Sequence, residues 1–172
     1  MARSVMLQAL LVAAVLGYAV AFPTFFPTRV DSDAPCDAHP DQGFKGHGAP
    51  VEEPGLEFTV ENGDGEAMSK FCPGGTYTVT VAFDSRFKSK LTVSAGELGE
   101  EPDSDCPNLV NFLTDDSGAT ASSYSTQWKV PCSEDSDDSE SAVFTVTGAK
   151  SSSSKYMTNT LTLEQKDDCD AC

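Results

Sequence analysis

Two cysteines near the end of the sequence have the spacing of a redox or zinc motif. Cys169 and Cys172 are separated by two residues, and aspartates lie beside and between them. A reactive dithiol is normally found at the start of a helix, which lowers a thiol pKa, whereas neighbouring carboxylates raise it. Zinc would need two further thiol or imidazole ligands, and no second short-spaced pair occurs. We therefore predict that these cysteines form structural or intermolecular disulfides rather than a redox or zinc site.

The chain has two histidines, His39 and His47, in an irregular segment that also holds Asp37 and Asp41. Imidazole together with carboxylate suits several divalent metals. The spacing of the two rings does not match any metal motif that would hold them on one face. We predict surface histidines in a flexible segment and no metal site.

Acidic runs at residues 103–105 and 134–140 suggest calcium binding. A helix–loop–helix calcium loop has glycine at its sixth position and a bidentate glutamate at its twelfth, and neither run fits. Serines are numerous, but there is no Gly-x-Ser-x-Gly motif and no histidine near a candidate nucleophile. We predict solvated acidic loops, with weak calcium binding of the extracellular kind as the alternative. We predict no catalytic residues, no cofactor and no enzymatic activity.

The N-terminus predicts export. Arg3 precedes an apolar run over residues 5–21, and Ala19-Val20-Ala21 offers the small residues that signal peptidase recognises. A membrane anchor is the alternative, but the run is at the short edge of a bilayer span and has no basic flank after it. We predict a signal peptide over residues 1–21 and a secreted, extracellular protein with no membrane span after cleavage.

Net charge and chain length limit the ligands and the number of domains that can be expected. The formal charge is −16, which repels phosphate backbones and anionic lipids and argues against nucleic-acid binding. The remaining length of about 150 residues suits a single domain with its own core.

All six cysteines lie beyond the predicted cleavage site, and an even number in an exported chain indicates a disulfide framework. The pairing cannot be chosen from their spacing. The candidates are Cys36, Cys72, Cys106, Cys132, Cys169 and Cys172.

The most regular stretch is a Pro-Gly-Gly turn at residues 73–75 that leads directly into a strand. From Tyr77 to Phe83, large side chains occupy every second position, and this period of two is typical of a half-buried strand. Similar alternation occurs at 56–60, 87–95, 124–130, 142–147 and 157–163, and residues 109–113 form either a strand or one helical turn. No amphipathic helix is evident.

Six or seven short strands separated by turns predict an all-β fold, an antiparallel two-sheet sandwich of about seven strands, with a closed barrel as the alternative. The predicted core aromatic residues are Trp128, Tyr77, Phe83 and Phe144. We divide the chain into the signal peptide, an irregular proline-rich lead-in at 22–54, the β domain at 55–165 and an acidic cysteine-containing tail at 166–172.

The order of these landmarks resembles the reeler (reelin-type) domain family. The matching elements are the turn and strand at 73–81, Phe-Lys at 87–88, Cys106, the Trp-x-Val-Pro segment at 128–131 and the strand at 143–147. The resemblance spans Cys36 to about Leu163. Ser89 departs from the glycine that is usual after the Phe-Arg/Lys pair.

The resemblance implies an immunoglobulin-like extracellular module, a Cys36–Cys106 bridge, and a non-catalytic role in adhesion, matrix or innate defence. The implied partner is an extracellular protein or glycan. The alternative is a structural component of a matrix or cell wall, cross-linked between chains through Cys169 or Cys172.

Overall fold

The computed structural model describes residues 36–41, 43, 47–113, 120–132, 141–151 and 154–169. The signal peptide, the acidic run at 134–140 and Cys172 lie outside the described residues. Within those ranges the fold is all-β: there is no helix, and hence none that could cross a membrane.

Nine strands are present in the described residues, two more than the seven expected. They are β1 (Val51–Glu52), β2 (Glu57–Glu61), β3 (Lys70–Phe71), β4 (Thr76–Val93), β5 (Glu97–Leu98), β6 (Leu109–Phe112), β7 (Ala121–Lys129), β8 (Ser141–Ala149) and β9 (Met157–Gln165). Three of them have only two residues, which is too short for alternation to be detected. The undecided segment at 109–113 forms a strand.

The strand β4 organises the sheet. Its first half pairs with β2 and β7, and its second half pairs with β6 and β8. Two separate strands were expected at 77–83 and 87–95, but the chain stays extended between them, with a register shift between Ala82 and Phe87. Residues 84–86 contain no glycine or proline that would end a strand.

The sheet is mixed, which corrects the expectation of purely antiparallel pairing. β8 pairs with β4 and β9 in antiparallel register, whereas β1 and β3 both lie parallel to β9. These parallel pairs join segments that are far apart in sequence, so short-range turn signals do not reveal them.

The main core lies inside the curled sheet, and a second, small cluster is formed by Ala149 and Tyr156. The alternate residues of β4 from Tyr77 to Val93 point inward, and Trp128 and Phe144 meet them from β7 and β8. Tyr77, Phe83, Trp128 and Phe144 are all buried in this core. Ser89 also points inward and is 0% exposed, so the inward face of β4 includes a polar residue.

Gly96 is required where the chain turns beside Trp128. Its φ is +89°, and a Cβ there would lie 2.5 Å from the Lys129 carbonyl oxygen and 2.6 Å from Trp128 Nε1. We expect Gly96→Ala to lower the free energy of unfolding by about 1–3 kcal/mol, because both the φ and the space disfavour a side chain. Chemical denaturation measures it. The control is Gly63→Ala, where a Cβ meets nothing within 4 Å; equal losses in both variants would contradict the prediction.

Candidate binding cleft and the histidine contacts

An open cleft of about 640 Å³ lies where β9 ends beside β3. Its described lining is entirely polar: Lys70, Ser141, Thr162, Glu164, Gln165, Lys166 and Asp167. The lining offers ammonium, carboxylate, amide and hydroxyl groups within one concave surface. Such a surface can hydrogen-bond a polar ligand.

The alternation of side chains along β8 and β9 determines which residues form the floor of the cleft. Ser141 on β8 is paired with Glu164 on β9, and both side chains turn away from the core. Their neighbours Ala142 and Leu163 form the next pair and are buried. The cleft floor is therefore the outer surface of a sheet whose inner surface is core.

A disulfide holds the rim of the cleft. Cys72 directly follows β3, and Cys169 lies in the turn after β9; the two are bonded, with their Cα atoms 5.5 Å apart. The Lys166 N–H also donates to the Phe71 carbonyl at 2.8 Å. These links keep the residues after β9 beside β3.

The charges of the cleft form loose, exposed pairs. Lys70 Nζ lies 4.0 Å from Glu164 Oε2, and Lys166 Nζ lies 3.1 Å from Asp168 Oδ1. The hydrogen bond and charge of Lys166 hold the pKa of Asp168 below its usual value. Exposed pairs of this kind contribute little to stability, so their side chains can re-pair with a ligand.

Threonines continue the outer face away from the cleft. We call the outer face the side of β4, β8 and β9 that points away from the core. Cross-strand pairing aligns Thr92 with Thr145 and Thr145 with Thr160, and aligns Thr147 with Thr158. Thr160 is exposed, whereas Thr147 and Thr92 are only 1% and 3% exposed. Part of the outer face is therefore covered.

The cover is a segment that we call the strap, residues 36–41. Cys36 is bonded to Cys106, and Lys90 Nζ donates to the Ala38 carbonyl at 2.6 Å. His39 lies between two hydroxyls, with Nδ1 2.8 Å from Thr147 Oγ1 and Nε2 2.8 Å from Thr92 Oγ1.

Burial is the main reason that the pKa of His39 is lowered to about 4; the Lys90 charge adds to this effect and Asp37 opposes it. Burial likewise lowers the pKa of Lys90, against an opposing effect of Asp37. The ring is therefore neutral over most of the physiological pH range.

His47 is also a contact residue. Its exposure is 5%, its Nδ1 donates to the Ser154 carbonyl at 2.7 Å, and its ring stacks on Tyr156 with centroids 4.5 Å apart. Burial raises the pKa of Tyr156. The prediction of surface histidines in a flexible segment was wrong, because both rings fasten the lead-in to the sheet.

The cysteines that the structure describes are all bonded. Cys36 pairs with Cys106, as the family resemblance implied, and Cys72 pairs with Cys169. This corrects the idea of a chain-to-chain link through Cys169, whose sulfur is already used. Cys132 is disulfide-bonded as well.

The residues that were weighed as metal ligands lie apart from one another. In the described part of the chain, no three His, Cys, Asp or Glu residues are grouped closely enough to hold a metal. His39 and His47 contact different strands, and the run at 103–105 holds its own loop, where Asp103 Oδ1 accepts from the Asp105 N–H.

Sequence reasoning missed the cleft and the threonine rows. The alternation of Thr158, Thr160 and Thr162 was visible in the sequence and could have indicated a hydroxyl-lined face. Lys70 gave no such signal, because its place in the cleft depends on the pairing of β3 with β9.

No family model and no curated protein matches the chain. Solved structures similar to it include the crystal structure of the Reelin-N domain of F-spondin, at 17% identity and a TM-score of 0.49, which covers 69% of this chain and 93% of that one. Two crystal structures of the human F-spondin reeler domain, fragments 2 and 1, are 16% identical with TM-scores of 0.48. They cover 67% and 68% of this chain and 92% and 94% of their own. The chain is thus distantly similar to reeler domains.

Proposed function

We propose that this protein is a secreted, non-catalytic binding module of the reeler type, in which the two strand sets that share β4 form an immunoglobulin-like sandwich. The observation that carries the proposal is the disulfide framework: every described cysteine is bonded, and the bridges tie irregular segments to the sheet. Such frameworks persist in oxidising, extracellular compartments. The Cys36–Cys106 pair and the order of sequence landmarks support the reeler assignment.

The cleft at the end of β9 is the proposed binding site. Its polar lining and open shape favour a hydrophilic extracellular ligand, a glycan or a polar protein segment. The two histidines are held by structural hydrogen bonds, and their ring contacts account for their burial without a catalytic role.

Export is tested by expression of the full chain in a secreting cell. We expect the protein in the medium to begin at Phe22, to carry no free thiol, and to run as a monomer in non-reducing electrophoresis. Recovery of reduced protein from the cytosol would contradict the proposal. A ladder that reductant collapses would favour the cross-linked structural component instead.

Binding is tested with a charge-matched pair of variants. We expect Lys70→Ala/Glu164→Ala to weaken binding to glycan arrays or isolated matrix proteins by about tenfold or more, as loss of central contact residues does. The readout is the dissociation constant for the ligand that binds the parent protein.

The control is Lys150→Ala/Asp84→Ala. This second ion pair has nearly the same exposure, 42% and 75% against 44% and 73%, and the same charges, but it lies outside the cleft. We expect this control to bind like the parent. Equal binding by both variants would exclude the cleft as the binding site.

A further inference from the structure

The only two histidines of the chain both fasten the segment before β1 to the sheet. His39 holds the strap on β4 and β8, and His47 holds the following residues against Ser154 and Tyr156. Histidine is the side chain whose ordinary pKa lies closest to neutrality. The attachment of the strap therefore rests on a side chain, His39, that acid can charge.

The hydrogen-bond directions around His39 are those of a neutral ring, with one nitrogen donating and the other accepting. The Thr147 hydroxyl donates to Thr158, and the Thr158 hydroxyl donates to the Val146 carbonyl. Each hydroxyl has one proton, so Thr147 must accept from Nδ1–H of His39, and Nε2 is left to accept from Thr92. If the ring took up a second proton, Nε2 would become a donor. Its contact with Thr92 would then persist only if the Thr92 hydroxyl rotated so that its oxygen accepts.

Of the two charges near His39, the Lys90 ammonium opposes protonation of the ring and the weaker effect of Asp37 favours it. β4 contributes the Lys90 ammonium, which is 7% exposed and bonded to the strap at Ala38, while the strap itself contributes Asp37. β8 contributes the Thr147 hydroxyl, which contacts the ring, and β9 contributes the Thr158 hydroxyl, which accepts from Thr147; neither carries a charge. A positive ring would thus sit beside a buried positive charge.

We propose that residues 36–41 are an acid-released strap, tethered by the Cys36–Cys106 bridge, whose opening uncovers Lys90, Thr92 and Thr147 on the outer face. This goes beyond the binding function proposed above. The bridge keeps the strap attached, so opening is local. Opening of the strap would join Lys90, Thr92 and Thr147 to the exposed threonines of β8 and β9 in one wider surface.

The pH window follows from proton uptake. In the open strap His39 titrates at its ordinary pKa of about 6.5, whereas in the closed strap its pKa is about 4. Between these values the open state binds more protons, so acid favours opening as pH falls from 6.5 and the effect levels off below 4. Between pH 7.5 and pH 5 the ratio of open to closed strap rises about 30-fold.

Nuclear magnetic resonance on the disulfide-bonded full protein tests the strap directly. At pH 7.5 we expect Overhauser contacts between the His39 ring and the methyls of Thr92 and Thr147. Saturation-transfer measurements at the ring should show the open population rising about 30-fold by pH 5. The Trp128 indole signal should keep its folded position throughout, since that N–H donates to Ala95 within the core.

Two matched variants separate the strap from other acid effects. His39→Gln keeps one donor and one acceptor between the threonines but cannot be charged, so we expect its strap to stay closed at pH 5. His47→Gln makes the same change at the other histidine and should retain the pH response at residues 36–41.

Three results would overturn the proposal. One is an open population of the strap that does not rise between pH 7.5 and pH 5. Another is an equal pH response in His39→Gln, and the third is loss of the folded Trp128 signal together with the strap. If His39→Gln does not fold, the titration of the parent protein still decides, because its ring contacts report the strap and its Trp128 signal reports the core.

Discussion

We expect Trp128→Ala to lower the free energy of unfolding by about 3–5 kcal/mol. The indole is fully buried, and its ring centroid lies 4.8 Å from Phe144 and 5.1 Å from Phe71. Its Nε1–H also donates to the Ala95 carbonyl at 2.9 Å. The variant therefore loses packing on several sides, leaves a cavity and removes the partner of a carbonyl.

Urea denaturation followed by circular dichroism measures this effect, because the variant has no tryptophan left to serve as a fluorescent probe. The control is Gln127→Ala, the preceding residue on β7, which is only partly buried. We expect the control to unfold within about 0.5 kcal/mol of the parent. A Trp128→Ala protein that is secreted and unfolds like the parent would show that the ring does not support the core.

The second large effect concerns the bridge that tethers the strap. We expect Cys36→Ala/Cys106→Ala to lower the free energy of unfolding by about 4 kcal/mol. The bridge joins residues 70 positions apart and so restricts the unfolded chain; without the bridge the unfolded chain gains conformational entropy. Denaturation under oxidising conditions, compared with the parent protein, measures the loss.

Reductant supplies the control for this prediction. In dithiothreitol the parent also lacks the Cys36–Cys106 bridge, so the difference between the two proteins should disappear. A difference that persists in reductant would assign the loss to the alanine side chains. No difference without reductant would show that the bridge does not stabilise the fold.

The sequence predicted the strand-forming segments well because the signal is local. Alternation at 77–83 and 87–95 needs only neighbouring side chains, and it placed Phe87, Leu91 and Val93 in the core. The segments at 124–130, 142–147 and 157–163 lie within β7, β8 and β9 except for Val130, which follows β7. The all-β class follows from these periods.

The cleft and the His39 contacts could not be predicted from local sequence patterns. The cleft joins Lys70 on β3 to Glu164 on β9, and His39 reaches Thr92 and Thr147 across more than fifty residues of chain. Both contacts join residues that are far apart in the sequence, so no local pattern predicts them. The histidines looked like surface residues because their neighbours are polar and aperiodic.

Hydrophobic alternation by itself determined which residues turn inward and that the fold is built from strands, because a strand sorts its side chains with a period of two whatever it pairs with. Only the tertiary structure decided that β1 and β3 run parallel to β9, that Cys169 closes on Cys72, and that the strap covers the outer face. Those outcomes depend on which distant segments meet, and pairing between distant segments is selected by the packing of the whole chain rather than by any short stretch of it.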